Sequence, residues 1–272
     1  MTHVWRFTEV EFALLWRDTI GDQLPAPFLF TSRAASPQEY RATRQSARES
    51  LQEKMTREVT DIIDAMAKSD LHLSVYGGDD RDPIHSGSMI RVLATRKGER
   101  GYLVTQLPGV SYFDRGGYTI AQCDPLRLAD KIVESLPDVP AAARGDIELT
   151  SSDAHAMLYV DRSEADDLEY ASSRSVVDPY EDEVSSRSAR FLRAPATNSG
   201  EIQITQGSSI FGPRGVKRHT VGWRDLDGHG RYVISDRPAA ALAADPKRFV
   251  SVLNSRIAAV VHAIKEEREH LH

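Results

Sequence analysis

Leu71-His72-Leu73-Ser74-Val75-Tyr76 is where the 272-residue chain changes period. Upstream, apolar residues recur at helical spacing; here they alternate, so Leu71, Leu73 and Val75 fall on one face of an extended segment. That pattern predicts a strand buried on one side. Three further runs, Met89–Arg96, Gly101–Leu107 and Gly117–Gln122, extend it into an antiparallel meander of four strands, with the polar stretch Gly77–Ser88 as the first loop. Pro125–Leu136 then reads as an amphipathic helix carrying Leu126, Leu128, Ile132, Val133 and Leu136.

Working back from Leu71, the segment Ser36-Pro37-Gln38-Glu39 is a helix start, with a Ser cap, Pro at the first helical position and Glu three residues after the cap. Tyr40, Ala47, Leu51, Met55, Val59, Ile62, Ile63 and Met66 continue at helical spacing, which predicts one long helix to about Lys68. Pro25 and Pro27 separate it from a short strand, His3–Phe7, and a helix over Glu9–Asp18.

Working forward, Ile202–Thr205, Lys217–Trp223 and Gly230–Ser235 alternate like strands, the last two joined through the hairpin signal Asp227-Gly228. A helix over Pro246–Glu269 follows. Gly117-Tyr-Thr-Ile120 before Asp124-Pro-Leu-Arg-Leu128 looks like Arg231-Tyr-Val-Ile234 before Asp245-Pro-Lys-Arg-Phe249. The similarity reads as a degenerate internal duplication: an N-terminal half over residues 1–138, an acidic Ser-rich connector over 139–198 and a C-terminal half over 199–272, in one compact α+β unit.

Charge sharpens this division. The chain holds 34 Lys plus Arg against 40 Asp plus Glu. Residues 151–190 carry ten acids and four bases, so that segment holds the whole excess of six and the rest balances. The net charge argues against a general nucleic-acid binder, whose affinity rests on cations that displace phosphate counterions. With one cysteine, Cys123, no intrachain disulfide is available. Glu9 and Glu11 interrupt any leader-like apolar run, and no apolar stretch approaches the length of a membrane span. A cytoplasmic chain without stable membrane insertion is expected.

Catalytic signatures fail at the residue that does the chemistry. Gly207-Ser-Ser-Ile-Phe-Gly212 begins with P-loop spacing, but Pro213-Arg214 stands where Lys-Ser or Lys-Thr must grip phosphate and magnesium. Gly228-His-Gly230 lacks the third glycine of a dinucleotide fingerprint. There is no Gly-x-Ser-x-Gly elbow, and Cys123 ends an apolar strand, where a packing role is the simpler one. Two clusters hold metal-ligand residue types, Asp79/Asp80/Asp82/His85 and Asp225/Asp227/His229, but neither has the order of an EF-hand loop. Trp5, Trp16 and Trp223 come without an RNA-binding motif around them.

Five segments carry a resemblance: Phe7-Thr-Glu-Val-Glu-Phe-Ala-Leu-Leu-Trp16, Leu24-Pro-Ala-Pro-Phe28, Gly101-Tyr-Leu-Val-Thr-Gln106, Asp124–Pro137 and Val221-Gly-Trp-Arg-Asp-Leu-Asp-Gly-His-Gly-Arg-Tyr232. Their order resembles the EspG family, cytosolic chaperones of PE/PPE substrates in type VII (ESX) secretion of actinobacteria. The resemblance implies a central, largely antiparallel β-sheet flanked by helical bundles, with two pseudo-twofold halves. It implies a non-enzymatic chaperone without cofactor or bound metal that holds the hydrophobic helical tip of a PE/PPE heterodimer and directs it to the secretion machinery; self-association stays open. On this sequence the implied contact surface is Gly78, Asp79, Asp80, Arg81 and Asp82 on the first loop, Val221, Trp223 and Tyr232 on strands, and Arg248, Asn254 and Arg256 on the last helix. Two alternatives stand beside it: a metal-assisted hydrolase using Asp79, Asp80, Asp82 and His85, and an adaptor that recruits an unrelated partner through the acidic connector.

Overall fold

The computed structural model describes residues 3–21, 23–32, 34–82, 86–109, 115–159 and 179–270. The first set of elements is β1 (Val4–Phe7), α1 (Glu9–Ile20), α2 (Pro37–Lys54), α3 (Arg57–Ala67), β2 (Leu71–Asp79), β3 (Ile90–Lys97), β4 (Arg100–Pro108), β5 (Arg115–Cys123) and α4 (Leu128–Glu134). The second is β6 (Ile147–Glu148), α5 (Ser151–Tyr159), α6 (Pro179–Arg193), β7 (Ala196–Gln206), β8 (Arg218–Leu226), β9 (Gly230–Asp236), β10 (Ala239–Ala243) and α7 (Pro246–Glu269). Each set runs short strand, helices, four-strand meander, helix. All the strands join one antiparallel sheet in the order β1-β5-β4-β3-β2-β7-β8-β9-β10-β6. That order is the same read from either edge once one meander is exchanged for the other, as a pseudo-twofold axis between β2 and β7 requires. The segment over 139–198 contributes β6, α5 and α6 to the second set.

The centre of the sheet is the β2–β7 ladder, nine residue pairs from Leu71 opposite Gln206 to Asp79 opposite Asn198. Gly77 faces Gly200 across it, and Gly200 faces Trp223 on β8. A Cβ on Gly77 would lie 2.6 Å from the Trp223 indole, and one on Gly200 would also strike that ring. The indole thus lies across two strands that carry no side chain beneath it, which is what glycine offers inside a sheet.

One face of the sheet is sealed. Leu71, Leu73, Val75, Ile202, Ile204, Val221 and Trp223 are 0–1% exposed and pack under α4 and α7 through Ile132, Phe249, Leu253 and Val260. The other face is covered only at its flanks. Near β1, β4 and β5, Phe7, Tyr102, Val104 and Tyr118 pack against α1 and α3, with Phe12 stacked on Tyr118 at 4.2 Å. Near β9 and β10, Tyr232, Ile234 and Ala241 pack against Leu158 and Phe191 of α5 and α6. Thr8 and Glu11 form a capping box at the start of α1, and Glu11, 3% exposed, binds Lys54 of α2 at 2.7 Å.

A buried ion pair fastens the crossing between the two sets. Arg231 on β9 holds both Asp225 oxygens at 2.7 Å and donates to the Pro137 carbonyl at 2.9 Å, just beyond α4. Both side chains are almost fully buried, so each charge depends on the other.

Four expectations are corrected. The helix predicted from Ser36 to Lys68 is two, because Thr56 caps α3 by accepting from the Val59 amide at 3.2 Å while Met55 turns extended. Leu51 and Val59 both reach the same core, so the apolar period runs through the break. The helix predicted from Pro125 starts at Leu128, because Asp124 accepts from the Leu126 amide and closes a turn. At α7 the same dipeptide does cap the helix, with Asp245 accepting from Arg248 and Pro246 in the first turn. The Tyr118 and Tyr232 segments are not equivalent, since the pseudo-twofold matches β9 to β4, and β10 separates Tyr232 from α7. The loop predicted over Gly77–Ser88 begins later, as Gly77, Gly78 and Asp79 still pair with β7. Among the described residues no helix is long and apolar enough to cross a membrane.

Gly200→Ala is expected to destabilise the fold by about 1–3 kcal/mol, the usual cost of forcing atoms into a packed core. In a Trp223→Leu background the same change should cost less, with a remainder from the Tyr76 carbonyl, which would still lie 2.4 Å from the new Cβ. Urea denaturation of the four proteins of the cycle checks it; equal costs in both backgrounds would place the constraint elsewhere.

Candidate functional site

The polar residues of the opening hexapeptide decide what the second face offers. His72, Ser74 and Tyr76 point away from the sealed core, and their partners on β7 are Thr205, Gln203 and Glu201. Tyr76 is 40% exposed and Gln203 is exposed, while Ser74, His72 and Glu201 are half-buried. For the two innermost strands of a wide sheet this is unusual access, given that their opposite face is wholly buried. A bare polar strip therefore runs between the α1–α3 layer and the α5–α6 layer.

Its edges carry apolar groups. Tyr159 at the end of α5 is 45% exposed and its hydroxyl reaches Asp236 at 3.2 Å. Leu29, 53% exposed, stands on the other side, in the segment between α1 and α2. There the strip deepens into a cavity of about 750 Å³, floored by Ser74, Tyr76, Arg91 and Gln203. Arg91 of β3 lies over the Tyr76 ring, 5.5 Å from its centroid.

The residues expected as a contact surface fall in three places. Gly78 and Asp79 end β2, and Asp80, Arg81 and Asp82 follow at the rim. Arg81 holds the Asp79 carboxyl down at about 2 through a side-chain hydrogen bond first and a backbone one second. Asp80 accepts from the Ser199 hydroxyl at 2.6 Å. Val221, Trp223 and Tyr232 are 0–1% exposed, so they are core and offer a partner no surface; alternation put the first two on the sealed side and the third under α6. Arg248, Asn254 and Arg256 belong to α7, across the sheet from the strip. Arg248 is tied to Asp146 and the Ala243 carbonyl, and Arg256 to Ser235 and the Arg237 carbonyl; Asn254 is exposed.

The alternative chemistry finds no assembled site. His85 lies outside the described residues, and Asp79 and Asp80 are turned to different partners. Asp225 is consumed by Arg231, which leaves no cluster with Asp227 and His229. Among the described residues no group of three metal-ligand side chains converges. In the Gly207–Gly212 loop a carboxylate occupies the cradle: Glu267 of α7 accepts from Ser209 at 2.8 Å and from the Ile210 amide at 3.0 Å, opposite in sign to a phosphate receptor. Burial pushes the Cys123 thiol up to about 11, far from a thiolate at neutral pH.

The strip itself was not anticipated as a site. Its one signal was the polar half of the Leu71–Tyr76 alternation, which is ordinary for a solvated strand and gains meaning only when those strands prove central.

The family profile described as the EspG family matches residues 8–255. Among solved structures, the chain is similar to the Mycobacterium tuberculosis type VII secretion chaperone EspG5, solved in complex with a PE25-PPE41 dimer. The TM-score is 0.53 at 11% identity, covering 92% of this chain and 94% of that one, which shows a shared fold. No curated protein matches.

Burial lowers the proton affinity of His72 on the strip, and the charge of Arg218 adds to it; burial and then Arg256 lower that of His219. Well above about pH 6.5 both histidines are neutral whether folded or not. Below it the unfolded chain binds protons that the folded chain resists, so stability should fall as pH drops from 7 toward 5.5. A His72→Gln/His219→Gln protein should lose less over that interval. Thermal melts in matched buffers test this, and identical pH slopes for both proteins would contradict it.

Proposed function

The chain belongs to the EspG family, and from that premise we propose that it is a non-enzymatic, cytoplasmic chaperone of PE/PPE-type substrates in type VII secretion. One observation carries the mechanism: the central strands of a continuous sheet lie bare on one face between two helical layers. An exposed apolar helical tip is an aggregation hazard, and a groove between helical walls covers it by contact alone. Tyr76 on the floor with Leu29 and Tyr159 at the edges supply apolar contact, while Ser74, Gln203 and Glu201 supply hydrogen-bond partners for the turn at the end of a helical hairpin. Holding the tip keeps the substrate soluble until the secretion machinery receives it. The similarity to a chaperone solved with a PE–PPE dimer supports this reading.

Co-expression with a PE/PPE pair encoded in the same genome should give a one-to-one-to-one complex on size-exclusion chromatography. Ser74→Arg/Gln203→Arg, which fills the strip, should abolish co-elution, and Asn254→Arg on α7 should leave it intact. Failure to co-elute with any cognate pair would refute the chaperone reading. Loss of the complex on Asn254→Arg but not on the double change would move the site to the other face.

A further inference from the structure

The cavity at the N-terminal side of the strip has a charge pattern that the chaperone reading does not use. We propose that it binds a small amphiphilic carboxylate, with its apolar body against α1 and the segment after it and its head on arginine. Val10, Leu24 and Leu29 form the apolar wall, backed by the buried Leu14 and Phe28, and Arg17, Arg44 and Arg91 reach it from α1, α2 and β3. Glu201 is the single carboxylate among the described residues that line it, and it accepts a hydrogen bond from the Gln203 amide at 3.0 Å. Asp18 stands behind the rim, 3.6 Å from Arg17 and 3.9 Å from Arg48.

Two of the arginines are held on aromatic faces. Arg44 lies over the Tyr40 ring at 5.3 Å and Arg91 over the Tyr76 ring at 5.5 Å, and both tyrosines also line the cavity. Arg44 also donates from Nη1 to the Tyr40 hydroxyl at 3.4 Å, so stacking and that bond together fix its guanidinium plane, and a planar fork held in place suits a carboxylate. The Arg44 Nε is buried without a hydrogen-bond partner, a donor whose desolvation an anionic oxygen would offset. At about 750 Å³ the cavity is of the size that small ligands occupy, and its lining divides between an apolar wall and a polar side that holds the three arginines. A neutral amphiphile gains only the wall. A cationic one meets three arginines.

The test uses the isolated chain, so its outcome does not depend on the chaperone reading. Octanoate, 1-octanol and octyltrimethylammonium are titrated calorimetrically into wild type and Arg44→Met. Octanoate is expected to bind wild type at least about tenfold more tightly than octanol, the ratio a charged hydrogen bond contributes, with no binding of the cation. Arg44→Met, at a half-buried position on α2 outside the core, should bring octanoate down toward the octanol level while circular dichroism and the melting temperature stay the same. Leu29→Arg, at a lining residue that is 53% exposed, gives a second arm by filling the apolar side of the cavity, and should abolish binding of both. Equal affinity for octanoate and octanol, an unaffected Arg44→Met protein, or no octanoate binding to wild type would each overturn the proposal.

Discussion

The molecule depends on the β2–β7 ladder and on the indole that lies across it. β2 and β7 carry glycine at the same register position, Gly77 and Gly200, and Trp223 covers both. Without that vacancy a Cβ would strike both the indole and the facing strand's backbone, the Ser199 carbonyl from Gly77 and the Tyr76 carbonyl from Gly200, so the ladder and the largest core side chain depend on it together. With it, two four-strand meanders become one sheet and share a core from Val92 on β3 to Val233 on β9. Antiparallel pairing at the centre also sets the relation between the halves, since each strand of one finds its counterpart at the same distance from the ladder.

The same arrangement creates the bare strip. α4 and α7 follow their meanders and both pack on the sealed face, while the helices that precede each meander settle on the other face near the sheet edges. Each leading set is tethered to its own edge strand, α1 to β1 through the Thr8 capping box and α5 close behind β6. Short connections hold the helices there, and the middle of the face, farthest from both edges, stays open. The floor residues suit exposure: Ser74, Tyr76, Glu201 and Gln203 tolerate water and can pair with a partner's backbone.

Much of this was legible in the sequence because it rests on local chemistry. The alternation at Leu71–Val75, the Ser36-Pro37 helix start, the Asp227-Gly228 turn and the Asp245-Pro246 cap each act within a few residues, and each forms as read. What failed depended on distance. Asp124-Pro125 reads like Asp245-Pro246, yet one closes a turn and the other caps a helix, and only packing separates them. β10, Ala239–Ala243, gave no strand signal because alanine alternates with alanine, and its place comes from pairing with β9. Trp223 and Tyr232, aromatic and near turns, suggested contact, but their faces are fixed by a ladder that joins residues over a hundred positions apart. The strip was hidden for the same reason, since its two strands are far apart in the chain.

Photo-crosslinking from single positions tests directly whether the bare strip holds the substrate. A benzophenone side chain placed at Gln203, in the middle of the strip, should crosslink to the PPE-type subunit of a co-expressed cognate pair. The same probe at Asn254 on α7, across the sheet, should give no adduct. An adduct from Asn254 with none from Gln203 would contradict the account, because it would put the partner on the helix-covered side of the sheet.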